Sequence, residues 1–289
     1  MPKPSTVAQP AELLSYLFAT WPEVKRKQVR QWLKFQMVTI NGRAITQFNH
    51  PLKPGDVVAI RTDAFAIPKT MLAGGIKVYF EDDALIVIDK PTDLLSIASE
   101  AETEKTAYFL LTDYVRRGNP LGRERVWIVH RLDRETSGLM VFAKTQGAKE
   151  VLQANWEKAE KKYEAVVEGR LKGDKGTYES DLDETNPFKV FSRPANDITR
   201  HAVTHFRVVA RREWRTLVEL TLETGRRHQI RVHLADAGCP IVGDKKYGAK
   251  SDPAERLGLH ACALRFPHPI TGQELRFDSP TPRELTKLV

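Results

Sequence analysis

The chain has 289 residues, is 41% hydrophobic and carries a net charge of +8. That is enough for one large domain and a small one, and the basic surplus points to an acidic polymer as partner. Apolar runs such as Ala84-Leu85-Ile86-Val87-Ile88 fall far short of a membrane span, the first residues hold no apolar signal region, and Cys239 and Cys262 form neither a disulfide framework nor a metal-ligand pattern.

A cytoplasmic, monomeric protein is therefore the expectation. The charge is unevenly spread. Residues 1–70 hold ten Lys/Arg against four Asp/Glu, a net of +6, while the remainder holds 35 against 33, a net of +2. The pattern is that of a small basic module on a nearly neutral body.

From the N-terminus, residues 1–10 read as a mobile tail. Ala11 to Phe18 reads as a short helix with Leu13, Leu14 and Leu17 inward. Residues 23–35 read as a second helix, in which Val29, Trp32 and Leu33 at i, i+3 and i+4 form the apolar face. Arg26, Arg30 and Lys34 recur every fourth residue along another face, with Lys25 and Lys27 beside them. Val38-Thr39-Ile40 meets Asn41-Gly42, a strong hairpin signal, followed by Arg43; Pro54-Gly55-Asp56 then turns the chain into Val57-Val58-Ala59-Ile60. A basic helical face is usually a solvated surface and no more. The order of elements here, however, resembles the alpha-L (ribosomal protein S-four type) RNA-binding domain over residues 11–67. That resemblance implies an RNA-facing surface of Lys25, Arg26, Lys27, Arg30, Lys34 and Arg43. Gln36 stands where that domain usually has glycine.

Residues 68–75 read as a linker, and 76–289 as one larger domain. Val78-Tyr79-Phe80 and Ala84 to Ile88 are strand-like; Ser99 to Lys105 is a polar loop; Thr106 to Arg117 has helical spacing through Tyr108, Leu111, Tyr114 and Val115. A helix is expected over 147–159 and a strand over 162–169, whereas residues 171–200 are polar and turn-rich with no element resolved. His201 and His205 have the spacing of a zinc helix, but the β-branched run through Val209 makes a strand. Residues four apart on a strand lie roughly 13 Å from each other, too far to share one metal ion. Arg215 to Leu222 is another strand. Thr224 reads as the N-cap of a helix ending before Gly238, which would place Arg226 and Ile230 on one face and Arg227 and Arg231 on another. Leu259 to Phe266 and Glu274 to Phe277 are final strands. The composition of elements is α+β: a mostly antiparallel mixed sheet with a small N-terminal α/β module.

Between the apolar runs Val126-Trp127-Ile128-Val129 and Leu139-Met140-Val141-Phe142-Ala143 lies His130-Arg131-Leu132-Asp133-Arg134-Glu135-Thr136-Ser137-Gly138. A buried-strand connection does not need that density of charge. The string from His130 to Lys144 is similar to the signature of the RluA-type pseudouridine synthases. Three further blocks agree in order: KKYEAVVEG from Lys161, TGRRHQIRVHL from Thr224, and the C-terminal blocks from Leu259 to Pro282. Asp93 stands where the family's first block usually has glycine.

The resemblance covers about residues 76–289 and implies isomerisation of uridine to pseudouridine in RNA, without metal or organic cofactor. It makes Asp133 the essential carboxylate at the sugar's anomeric carbon. It makes Tyr163 the residue stacked on the target base or serving the final deprotonation, and Arg231 the partner that holds Asp133 ionised. Arg131, Arg134, Arg226, Arg227 and Leu234 are expected on the substrate side, with Leu234 and Ile230 as supporting core. Arg134 is the candidate wedge that fills the stack when the uridine flips out. Ribosomal RNA is the favoured substrate and transfer RNA the alternative. Two other classes compete: an inactive RNA-binding protein, which would need none of Asp133, Tyr163 and Arg231, and a base-excising hydrolase, which would need a second placed carboxylate.

Overall fold

The computed structural model describes residues 4–24, 26–34, 38–45, 47–60, 70–99, 102–116 and 124–289. Lys25, Gln36 and residues 68 and 69 of the expected linker lie outside these residues, as do the side chains of Lys27 and Lys34.

A twelve-stranded sheet forms the body. Ten strands run side by side in the order Phe191–Arg193, Lys175–Asp183, Thr199–Arg212, Arg215–Leu222, Glu160–Glu168, Leu259–Pro267, Ser137–Ala143, Leu85–Lys90, Lys77–Glu81 and Thr70–Met71. Trp127–Ile128 pairs with Ser137–Ala143, and Glu274–Asp278 with Leu259–Pro267. One pairing is parallel, that of Ser137–Ala143 with Leu259–Pro267; the others within this sheet are antiparallel. Mostly antiparallel α+β architecture is thus what the chain adopts.

The parallel pair sits at the sheet's centre, and Gly138 is what lets it form. Its φ of 119° is a conformation L side chains rarely adopt, and a Cβ there would lie 2.3 Å from the carbonyl oxygen of Ala261. All seven residues of Ser137–Ala143 are buried, as a short continuous apolar run implies for a central strand.

Helices close two of the cores against this sheet. Ala107–Arg116 closes a core with Ile86, Ile88, Met140 and Phe142, and Gln229–Asp236 closes another with Val218, Leu220 and Leu257. Tyr163 packs against both cores and so stands at their junction. The expected long helix over 147–159 is Gln146–Ala154 followed by one 3-10 turn, Trp156–Lys158. His201 and His205 both lie on the strand Thr199–Arg212. The unassigned stretch 171–200 contains the strands Lys175–Asp183 and Phe191–Arg193.

Two expectations at the N-terminal end need correction. Ser5–Thr6 pairs with Val57–Ile60 and Val7 is buried, so residues 5–7 are not a free tail. Thr70–Met71 pairs with Lys77–Glu81, so these two residues of the expected linker belong to the large sheet. Within the module the helices are Leu13–Thr20 and Arg26–Lys34, and Val29, Trp32 and Leu33 are buried as their spacing implies. The module's own sheet joins Ser5–Thr6, Val57–Ile60, Val38–Ile40 and Arg43–Ala44. Among the described residues, no helix is long and apolar enough to cross a membrane.

Candidate active site

The loop between Trp127–Ile128 and Ser137–Ala143 is held along its backbone. Four successive carbonyls are all taken: Leu132 O accepts from Ser96 Oγ at 2.6 Å, and Asp133 O from Thr136 N at 3.2 Å. Arg134 O accepts from Lys90 Nζ at 3.1 Å, and Glu135 O from Thr92 Oγ1 at 2.8 Å. Ser96 Oγ also accepts from Leu132 N at 3.1 Å. At the loop's start His130 stacks on Trp156 with ring centroids 4.3 Å apart, and its Nε2 accepts from Val141 N. Burial pushes the pKa of His130 down to about 3, so it is a neutral structural ring. At the loop's end Ser137 Oγ bonds His260 Nδ1 at 2.8 Å and accepts from Arg256 at 2.5 Å. A loop so completely bonded presents its side chains in one geometry.

Lys90 is fully buried beneath this loop, where its ammonium also donates to the carbonyls of Pro91 and Leu94. Burial lowers its pKa to about 7, with the charge of Asp133 resisting that fall. Asp93, two residues beyond Pro91, adopts a left-handed φ of 60°, which explains why a glycine suits that position.

Asp133, Tyr163 and Arg231, distant in sequence, line one cleft of about 440 Å³ with Ile230, Leu222 and Leu259 as its apolar wall. Arg231 Nη1 stands 3.7 Å from Asp133 Oδ2 and 3.5 Å from Glu135 Oε2. Its tight partner is a third acid, Asp244, which takes Nε at 2.7 Å and Nη2 at 2.8 Å in a bidentate pair. Both partners are almost wholly buried. Burial works against the charged guanidinium, but the bond and charge of Asp244 outweigh it and raise the pKa of Arg231.

The expectation that Arg231 depresses the pKa of Asp133 is corrected by this arrangement. One arginine serves three carboxylates. Burial therefore dominates Asp133 over the attraction of Arg231, Glu135 adds repulsion, and the carboxyl sits above its ordinary value. Glu135 does not point away from the site. The Asp133–Thr136 turn brings it to the same guanidinium. Although burial pushes its pKa up, a backbone hydrogen bond and Arg231 overcome this and leave it lowered. Tyr163 is pushed well above the ordinary phenol value, by burial first and the charge of Asp133 second.

The helix expected to have Thr224 as its N-cap has His228 there instead and begins at Gln229. The intervening turn is tied by Gln229, whose amide donates to Val203 O and Thr204 Oγ1 at 2.9 Å and accepts from Thr224 Oγ1 and from Arg226 N. Arg226 and Arg227 therefore lie on this turn and not on helix faces. Gly238 ends the helix with a φ of 74°, as its place in the sequence implies. His228, at the N-cap, holds a left-handed φ of 53° while its Nδ1 bonds Tyr247 Oη at 2.8 Å and its Nε2 faces Asp133 at 3.9 Å. A non-glycine residue in that conformation marks stored strain beside Asp133. Burial lowers the pKa of His228 to about 4, so it meets Asp133 as a neutral ring.

The remaining expected substrate residues divide. Arg131 and Arg226 line the cleft with exposed side chains, although Arg226 Nε donates to His201 O at 3.0 Å. Arg134 is exposed on the loop, 4.0 Å from Asp93. Arg227 is spent within the protein: it binds the carbonyls of Glu184, Asn186 and Pro187 and is no free phosphate ligand. Leu234 is wholly buried in the core and does not line the cleft. Asp244, His228 and Lys90 escaped sequence reasoning, since a lone acid after Val242-Gly243 reads as a turn and a strand-ending lysine as surface.

The match to known proteins is extensive. The family model "RNA pseudouridylate synthase" covers residues 84–236. The chain is 35% identical to "Uncharacterized RNA pseudouridine synthase YlyB" of Bacillus subtilis, over 95% of this chain and 91% of that protein. It is 32% identical to "Ribosomal large subunit pseudouridine synthase D" of Escherichia coli K12, over 93% and 86% respectively. Among solved structures, "Human RNA Pseudouridylate Synthase Domain Containing 4" superposes with a TM-score of 0.60 at 25% identity, covering 72% of this chain and 90% of the other. With a carboxylate, a phenol and a buried guanidinium converging in one cleft of that shared fold, the chain belongs to the RluA-type family of RNA pseudouridine synthases.

Proposed function

We propose that this pseudouridine synthase acts on large-subunit ribosomal RNA, with Asp133 as its essential carboxylate, Tyr163 on the target base and Arg231 as the fixed countercharge. The observation that carries the assignment is the convergence of these three residues from a loop, a strand and a helix on one cleft. Isomerisation breaks the bond between the anomeric carbon and base N1 and forms one to C5; the C5 proton leaves and N1 gains one, so no water and no net proton enters. Positive charge develops at the sugar as the first bond breaks, and an ionised Asp133 stabilises or captures it. Tyr163, kept protonated, serves by stacking over the base and not as a phenolate base. The uridine must leave its stack to reach Asp133, and Arg131 and Arg134 stand exposed at the mouth to take its place or its phosphates.

Ribosomal RNA is favoured by the similarity to the large-subunit enzyme of Escherichia coli, together with an N-terminal module that we read as alpha-L-like. Arg26, Arg30 and Arg43 are exposed on that module. A transfer-RNA substrate is the second reading. The two free thiols, Cys239 and Cys262, suit a reducing cytoplasm. A hydrolase would need a protonated acid beside Asp133, and Glu135 is held ionised.

Tritium release from RNA labelled at uridine C5 tests the assignment. The wild-type protein should release label from large-subunit RNA transcripts, and Asp133→Asn should abolish release while RNA binding persists. Release that survives this substitution would remove Asp133 from the chemistry, and free uracil among the products would replace isomerisation by hydrolysis. Label released from transfer RNA alone would favour the second reading.

A further inference from the structure

Asp133 faces a second, wider opening of about 710 Å³ that shares Arg131 with the first and is bounded by Phe188, Ile97, Arg134 and Lys246. Phe188 is 77% exposed and Ile97 37% exposed. A single exposed apolar side chain is ordinary. What sets Phe188 apart is that the segment carrying it is fixed. Arg227 Nη1 binds Pro187 O at 2.7 Å and Nη2 binds the carbonyls of Glu184 and Asn186, while the Glu184 carboxylate accepts from Arg227 N at 2.6 Å. Asn186 Oδ1 accepts from Phe188 N at 2.8 Å and Lys189 N at 3.1 Å. Val190 N donates to Tyr247 Oη, the same hydroxyl that bonds His228 beside Asp133. An aromatic ring is thus held in water at the lip of the active cleft by bonds that lead back to its catalytic wall. The folded chain gains no burial from it.

From this we infer that Phe188 is a stacking platform for a second, unpaired nucleotide adjoining the target uridine. This deepens the proposed reaction and rests on it. The charge around the opening fits that occupant. Arg131, Arg134 and Lys246 are exposed cations placed to meet the phosphates linking two nucleotides, while the acids Asp133 and Glu135 share Arg231 deeper in the cleft. Single-stranded RNA is commonly read by bases splayed onto aromatic faces, and a platform fixed in advance loses little entropy when a base arrives. The uridine enters beside Tyr163; its neighbour lies on Phe188.

The test uses the full chain and tritium-labelled, unmodified transcripts of large-subunit RNA, or of transfer RNA should only that release label. Steady-state release is measured for wild type, Phe188→Ala, Phe188→Leu and Phe188→Trp. Loss of one base stack predicts a rise in KM of roughly 5- to 100-fold for the Ala variant, with kcat changed far less. The Leu variant should stay close to Ala and the Trp variant close to wild type, with unfolding midpoints unchanged because the side chain is exposed. Wild-type KM in the Ala variant overturns the inference, as does a Leu variant that restores binding as well as Trp. A wild-type protein that releases no label from either RNA brings down the proposed reaction and this inference with it, a result distinct from those two.

Discussion

In the proposed reaction Asp133 must lose its proton to stabilise a cationic sugar, yet burial and Glu135 both make that loss harder. The acid limb of the kcat/KM profile should therefore lie above the ordinary aspartate value of about 3.9. Glu135→Gln removes a negative neighbour, so Asp133 ionises more readily and the limb moves to lower pH. A pH series of tritium release checks this, and a limb that stays in place or moves upward would show that the two carboxylates do not communicate. Asp244 gives this arrangement its stiffness. A wholly buried carboxylate locks Arg231 by two bonds and leaves one nitrogen, Nη1, directed at Asp133 and Glu135. The sequence blocks single out Asp133, Tyr163 and Arg231, which the fold brings to one cleft, whereas the sharing of Arg231 is not legible there. Which acid takes the fork depends on how Gly243-Asp244 folds back under the helix, a tertiary fact that local pattern does not encode.

The central parallel pairing and the loop that enters it form a unit whose tolerance is set by Gly138. Ala at this position brings both an unfavourable positive φ and a Cβ lodged against the backbone of Ala261. Gly138→Ala should cost more than about 1 kcal/mol and abolish release of label, since Asp133 lies five residues before it on the same loop. Denaturant titration measures the first effect, and a variant as stable as wild type would show that the strands shift without penalty. Strands that are buried were easy to read, because burial on both faces demands a run such as Leu139 to Ala143. The hairpin of Lys175–Asp183 was hidden for the opposite reason. It is mostly exposed, Leu182 is its one fully buried apolar side chain, and its register comes from partners on Thr199–Arg212. Likewise the start of Gln229–Asp236 lies four residues beyond the expected one. Gln229 spends its amide on Val203 and Thr204 across the fold, which a cap rule for Thr224 cannot anticipate.

Across the whole molecule, charge and chemistry are separated: the excess of +6 lies in residues 1–70, and the acid-rich cleft lies in the body. On our reading of the module as an RNA anchor, Arg26→Glu with Arg30→Glu should weaken binding to RNA transcripts. It should also flatten the plot of log affinity against log salt by about 2 or more, with kcat on saturating RNA little changed. An unaltered slope would assign the anchoring to the body. The parallel seam has a temporal consequence as well. Ser137 and His260, hydrogen-bonded to each other, are 123 residues apart, and the strand Leu259–Pro267 is made long after Ser137–Ala143. A contact of such long range closes late and slowly. During translation the signature loop is complete long before its neighbouring strand exists, so the central seam that anchors the loop closes only after residues 259–267 have been added.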